Sequence, residues 1–359
     1  MNILFCNEGY IIDGVASYNL YLSASLHRAG NNVSIVGKWT GRKGFQNRHN
    51  KWGVKVLQCP SFTTVNPWLL HKAKKAMPDV IITDARRSFP LSQRIKEKTG
   101  AKVVTVFHDP PKYDKRHGRS LNSLIKGSSA WVTAERPIYE ELKKITKDLP
   151  IYWFQRPISG LINSTRLPPR EPFRILYLGR LSGWKSWGVK VIIDNAVKLK
   201  KAIPSLEITV VGGGGRYLNT WWTAKKANAR VGNAFVHVVG TQTDPQPWME
   251  QATMVFAGAT SAIEVILSNR PVFVLSGFWM GLITKKNIDS GISCHFGDRQ
   301  GPYCMKCESD VICNAIIDFY NKWDEALMEK HVNVLRERLS PDFNSETIAG
   351  QFNSLLENL

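Results

Sequence analysis

The sequence predicts an α/β chain built from two doubly wound parallel-sheet domains. Short apolar runs alternate with helix-period segments along the whole chain, the signature of parallel strands covered on both faces. The rhythm breaks once, at 158–172 (ISGLINSTRLPPREP), where prolines and polar residues cluster, and then restarts. The length of 359 residues exceeds one typical domain of about 150 residues. The expected organisation is therefore a first domain at 1–157, a linker at 158–172, a second domain at 173–339 and a terminal helix at 340–359 expected to pack back on the first domain.

The elements follow in order. Asn2–Asn7 reads as a buried strand, 9–14 as a loop, and Val15–Ala29 as a helix carrying Leu20, Leu22 and Leu26. Gly30 stops that helix in the manner of a left-handed cap. Further strands are predicted at Val33–Val36, Val54–Leu57, Val80–Thr83, Val103–Phe107 and Trp131–Thr133. After the linker come strand Arg174–Leu178, helix Val189–Ala202, strand Glu207–Val211 and the glycine run Gly212–Gly215. Strands Ala234–Val239, Met254–Ala257 and Val272–Leu275 complete the second domain. The last segment sets Phe343, Ile348, Phe352, Leu355 and Leu356 at helical spacing.

Composition narrows the function classes. A hydrophobic fraction of 43% with 21% charged residues is that of an ordinary folded protein and excludes wholesale disorder. No apolar run approaches the roughly 18 residues that span a bilayer, and MNILFCNEGY lacks the basic start and greasy stretch of an export signal. Six cysteines do not form a secretory disulfide framework, so the expected location is the cytoplasm, with peripheral attachment to a membrane open. The net charge of +19 is uneven: residues 1–157 carry +15 of it. Such a half is expected to meet an extended anion, whether glycan, lipid or nucleic acid; a basic surface kept for solubility is the bland alternative.

Ligands of open parallel sheets bind beyond the carboxyl ends of the strands, which singles out four clusters. They are 9–15, His108-Asp109, Gly179–Gly188 and Gly258–Glu264. The strongest is Gly179-Arg180-Leu181-Ser182-Gly183-Trp184-Lys185, between a strand and a helix. Arg180 offers a planar fork of donors, Lys185 a point charge and the helix start its N–H groups, a combination suited to a diphosphate. An exposed basic loop is the competing reading. The run Gly212–Gly215 lacks a following Lys-Ser/Thr pair, so it reads as a tight turn rather than a P-loop. Ser261-Ala262-Ile263-Glu264 also fits a capping box. His108 also fits a satisfied histidine at a strand end. Cys294, Cys304, Cys307 and Cys313 contain one C-x2-C pair, which alone does not make a metal site, and reduced thiols are expected.

A strand followed by G-R-L, with a lysine five residues after the arginine, resembles the donor-diphosphate motif of the family-4 retaining glycosyltransferases. Ile208–Gly214 (ITVVGGG) is similar to that family's glycine turn, and Val239-Gly240 to the strand end before its base-binding loop. Glu264 in AIEVILSNRPVFV matches the second glutamate of its paired-glutamate motif, Asp13-Gly14-Val15 its first glycine loop, and His108 its sugar-contacting histidine. The first glutamate of the pair falls on Phe256 instead, and the segment before Glu264 is short, which leaves sugar recognition open around Ala259, Thr260 and Ser261.

The resemblance implies the GT-B architecture, two Rossmann-like domains facing a central cleft. It also implies retaining transfer of a hexose-type sugar from a nucleotide-diphosphate sugar, a UDP-sugar first, with no further cofactor. Arg180 and Lys185 would neutralise the departing diphosphate and His108 would orient the sugar. Gly14, Gly179, Gly212, Gly214, Gly240, Thr260, Ser261 and Glu264 would line the donor. Lys112, Lys115, Arg116 and Arg119, just after His108, are the expected acceptor contacts. An anionic glycan or lipid leads as acceptor, with DNA bearing modified bases as the alternative. A non-catalytic nucleotide- or glycan-binding protein and a sugar-phosphate isomerase are the readings from other classes.

Overall fold

The computed structural model describes residues 1–7, 14–38, 49–59, 67–85, 88–109, 121–158 and 166–359. The chain divides into two compact units, Met1–Ser159 with Asp342–Leu359, and Gly160–Pro341.

The first unit is a seven-stranded parallel sheet. Its strands are β1 (Asn2–Cys6), β2 (Asn32–Lys38), β3 (Lys55–Cys59), β4 (Val80–Asp84), β5 (Lys102–Phe107), β6 (Ala130–Thr133) and β7 (Ile151–Trp153), in the order β3-β2-β1-β4-β5-β6-β7. Side chains alternate along each strand, so Ile3 and Phe5 join the core on one face while Leu4 and Cys6 join the core on the other. Both faces are dry because helices cover both, which is why these strands read as continuous apolar runs. The helices are α1 (Gly14–Arg28), α2 (Pro67–Lys75), α3 (Phe89–Thr99), α4 (Leu121–Gly127) and α5 (Arg136–Ile145).

The second unit holds β8 (Arg174–Leu178), β9 (Glu207–Val211), β10 (Val236–Gly240), β11 (Met254–Ala257), β12 (Val272–Leu275) and β13 (Trp279–Leu282). Their order is β10-β9-β8-β11-β12-β13, parallel except for the antiparallel edge strand β13. The helices are α6 (Trp187–Asp194), α7 (Ala196–Ala202), α8 (Tyr217–Val231), α9 (Gln246–Gln251), α10 (Thr260–Leu267), α11 (Ile288–Ser293), α12 (Ser309–Asn321) and α13 (Glu325–Phe343), the last of which runs into the first unit's closing segment. A single core gathers Ile175, Tyr177, Ile208, Val210, Phe256 and Phe273 from the sheet with Ile312, Ile316 and Phe319 from α12. The last helix, α14 (Ser345–Glu357), belongs to the first unit. Asn344 caps it by accepting from the N–H groups of Glu346 and Thr347 at 2.9 Å each, a contribution of about 1 kcal/mol. Its Ile348, Phe352, Leu355 and Leu356 then bury against α1 and the sheet.

Two expectations need correction. The helix predicted at Val189–Ala202 begins earlier and is broken. Gly183–Ser186 forms a 3-10 turn leading into α6, and Asn195 separates α6 from α7 by donating its side chain to Val191 O and Ser309 Oγ. The strand predicted at Ala234–Val239 starts at Val236, because Asn228 of α8 accepts from the N–H groups of Phe235 and Val236 at 3.2 and 2.9 Å and so fixes the chain entering it. Among the described residues no helix is long and apolar enough to cross a membrane.

Candidate functional site

Each sheet reverses its winding once, between β1 and β4 in the first unit and between β8 and β11 in the second. Loops that leave the sheet on opposite sides of such a point open a crevice at the carboxyl ends of the strands. In the second unit those loops are 179–185 and 258–259, since Leu178 and Ala257 are register partners.

The glycines of the second unit are drawn together by backbone bonds. Gly179 N donates to Val211 O, Leu181 N to Gly213 O, Gly212 N to Gly240 O and Arg216 N to Leu181 O, at 2.9–3.1 Å. A Cβ at Gly212 would stand 1.8 Å from Gly179 O, so only glycine allows the two turns to touch. Gly214 has φ +143°, a conformation that L side chains rarely adopt. The carboxyl ends of β8, β9 and β10 thus form one backbone-lined surface carrying Gly179, Gly212, Gly214 and Gly240.

Arg180 is exposed beside it. Lys185 is half-buried in the 3-10 turn, its carbonyl accepting from Tyr177 Oη at 2.9 Å and its ammonium ion-paired with Asp298. Asp298 also faces His295 Nδ1 at 3.8 Å. It ends a left-handed segment: His295, Phe296 and Gly297 have φ of 51°, 47° and 73° in succession. The same segment braces the next loop, because Phe296 O accepts from Ala259 N at 3.1 Å. Ala259 is itself strained, at φ 52° and ψ −137°, immediately before α10. A non-glycine residue in such a region costs on the order of 1–3 kcal/mol, which the surroundings must over-determine.

Thr260 and Ser261 form the first turn of α10, partly exposed, and no side chain caps this helix. The capping-box reading of Ser261 and Glu264 is therefore not realised: Ala259 occupies the cap and Ser261 lies inside the helix. Glu264 sits one turn in and is buried. Phe256 is wholly buried in mid-strand, with ring centroids 5.7 Å from Phe273 and 6.2 Å from Trp279. A carboxylate there would be inside the core, so the position is structural.

In the first unit Gly14 opens α1, and its carbonyl accepts from Arg156 Nη1 at 3.2 Å. Arg156 is 7% exposed, pairs with Glu135 at 3.4 Å and lies 5.9 Å from the centre of the Tyr18 ring. His108 follows β5, is buried, and meets the edge of the Tyr18 ring at 5.0 Å. Burial pushes the Tyr18 phenol further above its ordinary range, so it stays protonated. Asp84 closes β4 and accepts from Ser88 Oγ at 2.6 Å. His108 and Gly14 are thus linked through Tyr18 and Arg156. Lys112, Lys115, Arg116 and Arg119, together with Asp13, lie outside the described residues.

Sequence reasoning missed Tyr18, Asp84, Glu135, Arg156 and Asp298. Asp84 directly follows a predicted strand and could have been found; Asp298 and Arg156 carry no local signal. The cysteines diverge: Cys304 Sγ lies 3.6 Å from Cys294 Sγ, Cys307 faces Gly277 O at 3.9 Å, and Cys313 is in the core. Burial and the neighbouring Cys294 thiol push Cys304 up to about 11. No group of three or more metal-binding side chains gathers among the described residues.

No protein-family model matches this sequence, and no curated protein does. Solved structures do resemble the fold over its whole length. HepE from Anabaena in complex with UDP-glucose is 16% identical with a TM-score of 0.68, covering 99% of each chain. A glycosyltransferase from Rickettsia africae ESF-5 is 17% identical with a TM-score of 0.67, covering 99% of this chain and 97% of its own. A variant of TarM from S. aureus in complex with fondaparinux, alpha-GlcNAc-glycerol and UDP is 12% identical with a TM-score of 0.69, covering 99% of each chain. At these identities the likeness establishes the fold, two parallel-sheet Rossmann-like domains of the GT-B kind.

Proposed function

We propose that this chain is a retaining glycosyltransferase that moves a hexose-type sugar from a UDP-sugar to an anionic acceptor, a glycan or lipid first. The observation that carries the reading is the glycine-lined surface at the switch point of the second unit, bordered by Arg180, Lys185 and the uncapped start of α10. Backbone without side chains in the way, with cations and a helix start at its rim, suits a diphosphate. The solved structures of the same fold that hold UDP or UDP-glucose support the same donor.

In this scheme the bond from the anomeric carbon to the diphosphate oxygen breaks, and the diphosphate keeps the electron pair. The acceptor oxygen bonds to that carbon on the same face and passes its proton to the departing oxygen. Arg180 and Lys185 stabilise the charge that develops, a preorganised electrostatic effect. Thr260 and Ser261 add N–H groups, Glu264 accepts from the ribose hydroxyls, and His108 orients the transferred sugar. The first domain, 1–157, is assigned to the acceptor and 173–339 to the donor, with Lys112, Lys115, Arg116 and Arg119 as acceptor contacts. The chain is assigned to the cytoplasm or its membrane face.

The test is turnover with a panel of nucleotide sugars against lipid extract, polymer and duplex DNA. Arg180→Ala and Lys185→Ala are each expected to lower transfer by about 100-fold while leaving the melting temperature in place. Near-normal rates in both variants would remove the diphosphate assignment. Labelled DNA would turn the acceptor to nucleic acid, and nucleotide binding without turnover on any donor would favour a binding protein.

A further inference from the structure

The second unit presents a surface that the transfer chemistry does not use. Helix α8 buries Thr220, Ala224 and Ala227 against its own sheet. The opposite stripe, at helical spacing, carries Leu218, Trp222 and Lys225, with Leu218 67% and Trp222 59% exposed. Trp221 flanks the stripe, 4.9 Å from Trp222 and under the Lys225 ammonium at 5.4 Å. The surface continues onto α6, where Arg216 lies 5.7 Å from the Trp187 ring and Trp187 is 53% exposed. Large apolar groups left in water on a folded surface mark a contact site.

Charge identifies the partner. The 36 residues from Ile208 to Thr243 contain no aspartate or glutamate and four cations, Arg216, Lys225, Lys226 and Arg230. Residues 158–207 carry +6, this stretch +4 and residues 244–359 −6, so α8 lies in a segment with no acidic residue to offset its cations. Protein interfaces enrich tryptophan and arginine but deplete lysine, and a sugar platform has no use for an exposed leucine. Tryptophan and leucine to enter the acyl boundary, with lysines beside them to meet headgroups, are what an anionic bilayer surface selects.

We infer that the second unit docks on anionic membrane through the exposed face of α8, with Leu218 and Trp222 inserted and Lys225 and Lys226 on the lipid phosphates. The inference goes beyond the transferase reading and stands without it. Arg216 N is bonded to Leu181 O, so this face adjoins the Gly179–Lys185 loop and would hold the donor edge of the unit at the lipid surface.

The experiment is co-sedimentation of the full chain with vesicles of phosphatidylcholine and phosphatidylglycerol, against phosphatidylcholine alone. Wild type is expected to bind the anionic vesicles and to keep part of that binding in high salt, because the inserted side chains do not depend on charge. Leu218→Ser with Trp222→Ser should lower partition about tenfold or more and abolish the salt-resistant part. Lys225→Glu with Lys226→Glu should lower it by at least about 25-fold at low salt. Thermal unfolding should stay unchanged, since these side chains are solvent-exposed. Fluorescence quenching by bromolipid, compared between wild type and Trp222→Phe, reads insertion without relying on the serine variant. Unchanged partition in both pairs would assign any vesicle binding to the basic first unit and overturn the inference. So would the absence of quenching at Trp222, or loss of retention on a soluble anionic polysaccharide with vesicle binding intact.

Discussion

Lys185 is held on two sides, its carbonyl by Tyr177 and its ammonium by Asp298. If the diphosphate binds as proposed, a carboxylate that close repels it while occupying the cation that should receive it. At an effective dielectric constant near 20, one such charge a few ångströms away is worth about 1–2 kcal/mol, or about 5–30-fold in affinity. Asp298→Asn is therefore predicted to tighten UDP binding by about tenfold, read by titration calorimetry. Weaker binding would show that the carboxylate aims the ammonium instead of competing for it. The pair illustrates which residues of the candidate site were legible. Arg180 and Lys185 could be named because they follow a predicted strand and precede a helix within seven residues of chain. Asp298 could not, because it meets Lys185 only through a left-handed turn whose Phe296 is not a residue that usually announces positive φ. Arg156 and Glu135 escaped for the same reason of distance, being joined to Gly14 only by the folded chain.

Among the elements, α10 has the most specific start. It follows two loop residues after β11, it lacks a side-chain cap, and Ala259 takes a backbone conformation that suits glycine. The Phe296 carbonyl holds Ala259 there, and Ala262 N closes the first turn on the Ala259 carbonyl at 3.1 Å. Ala259→Gly is predicted to stabilise the protein by about 1 kcal/mol through relief of that strain, measured by denaturant unfolding. If the strain serves to fix the helix start, the same variant binds UDP more weakly although it is more stable. A stability loss would mean that the conformation is not strained. Most strands were legible because a parallel sheet covered on both faces leaves uninterrupted apolar runs, as in β1, β4 and β5, whereas of the helices only α1, the α6–α7 segment and α14 were placed. Of the four edge strands β3 and β10 were legible and the other two were not: β7 is three residues long and β13 runs antiparallel, so neither has a run or an alternation to read. The break at Asn195 was hidden as well, since it depends on a bond to Ser309, far along the chain.

At the scale of the molecule the dominant property is the uneven charge, with +15 of the +19 in residues 1–157. A field of that kind does not select a fold; it raises the local concentration of an extended anion and loses that effect as salt screens it, over about 8 Å at physiological ionic strength. The donor is a small anion assigned to the other unit, so salt should separate the two substrates. Acceptor use should fall steeply with ionic strength, while hydrolysis of the donor alone should change little. Neutralising Lys115, Arg116 and Arg119 to glutamine should flatten the salt dependence of transfer and raise the acceptor KM by roughly tenfold or more, with donor KM within about twofold of wild type. The three changes act together because a screened field sums over charges, and no one of them needs a fixed contact. Equal loss of transfer and of donor hydrolysis in the triple variant would count against acceptor steering, since a general defect of fold or chemistry lowers both. An unchanged salt profile would move the steering charges to the other basic segments of 1–157, where Lys72, Lys74 and Lys75 along α2 are the next to substitute.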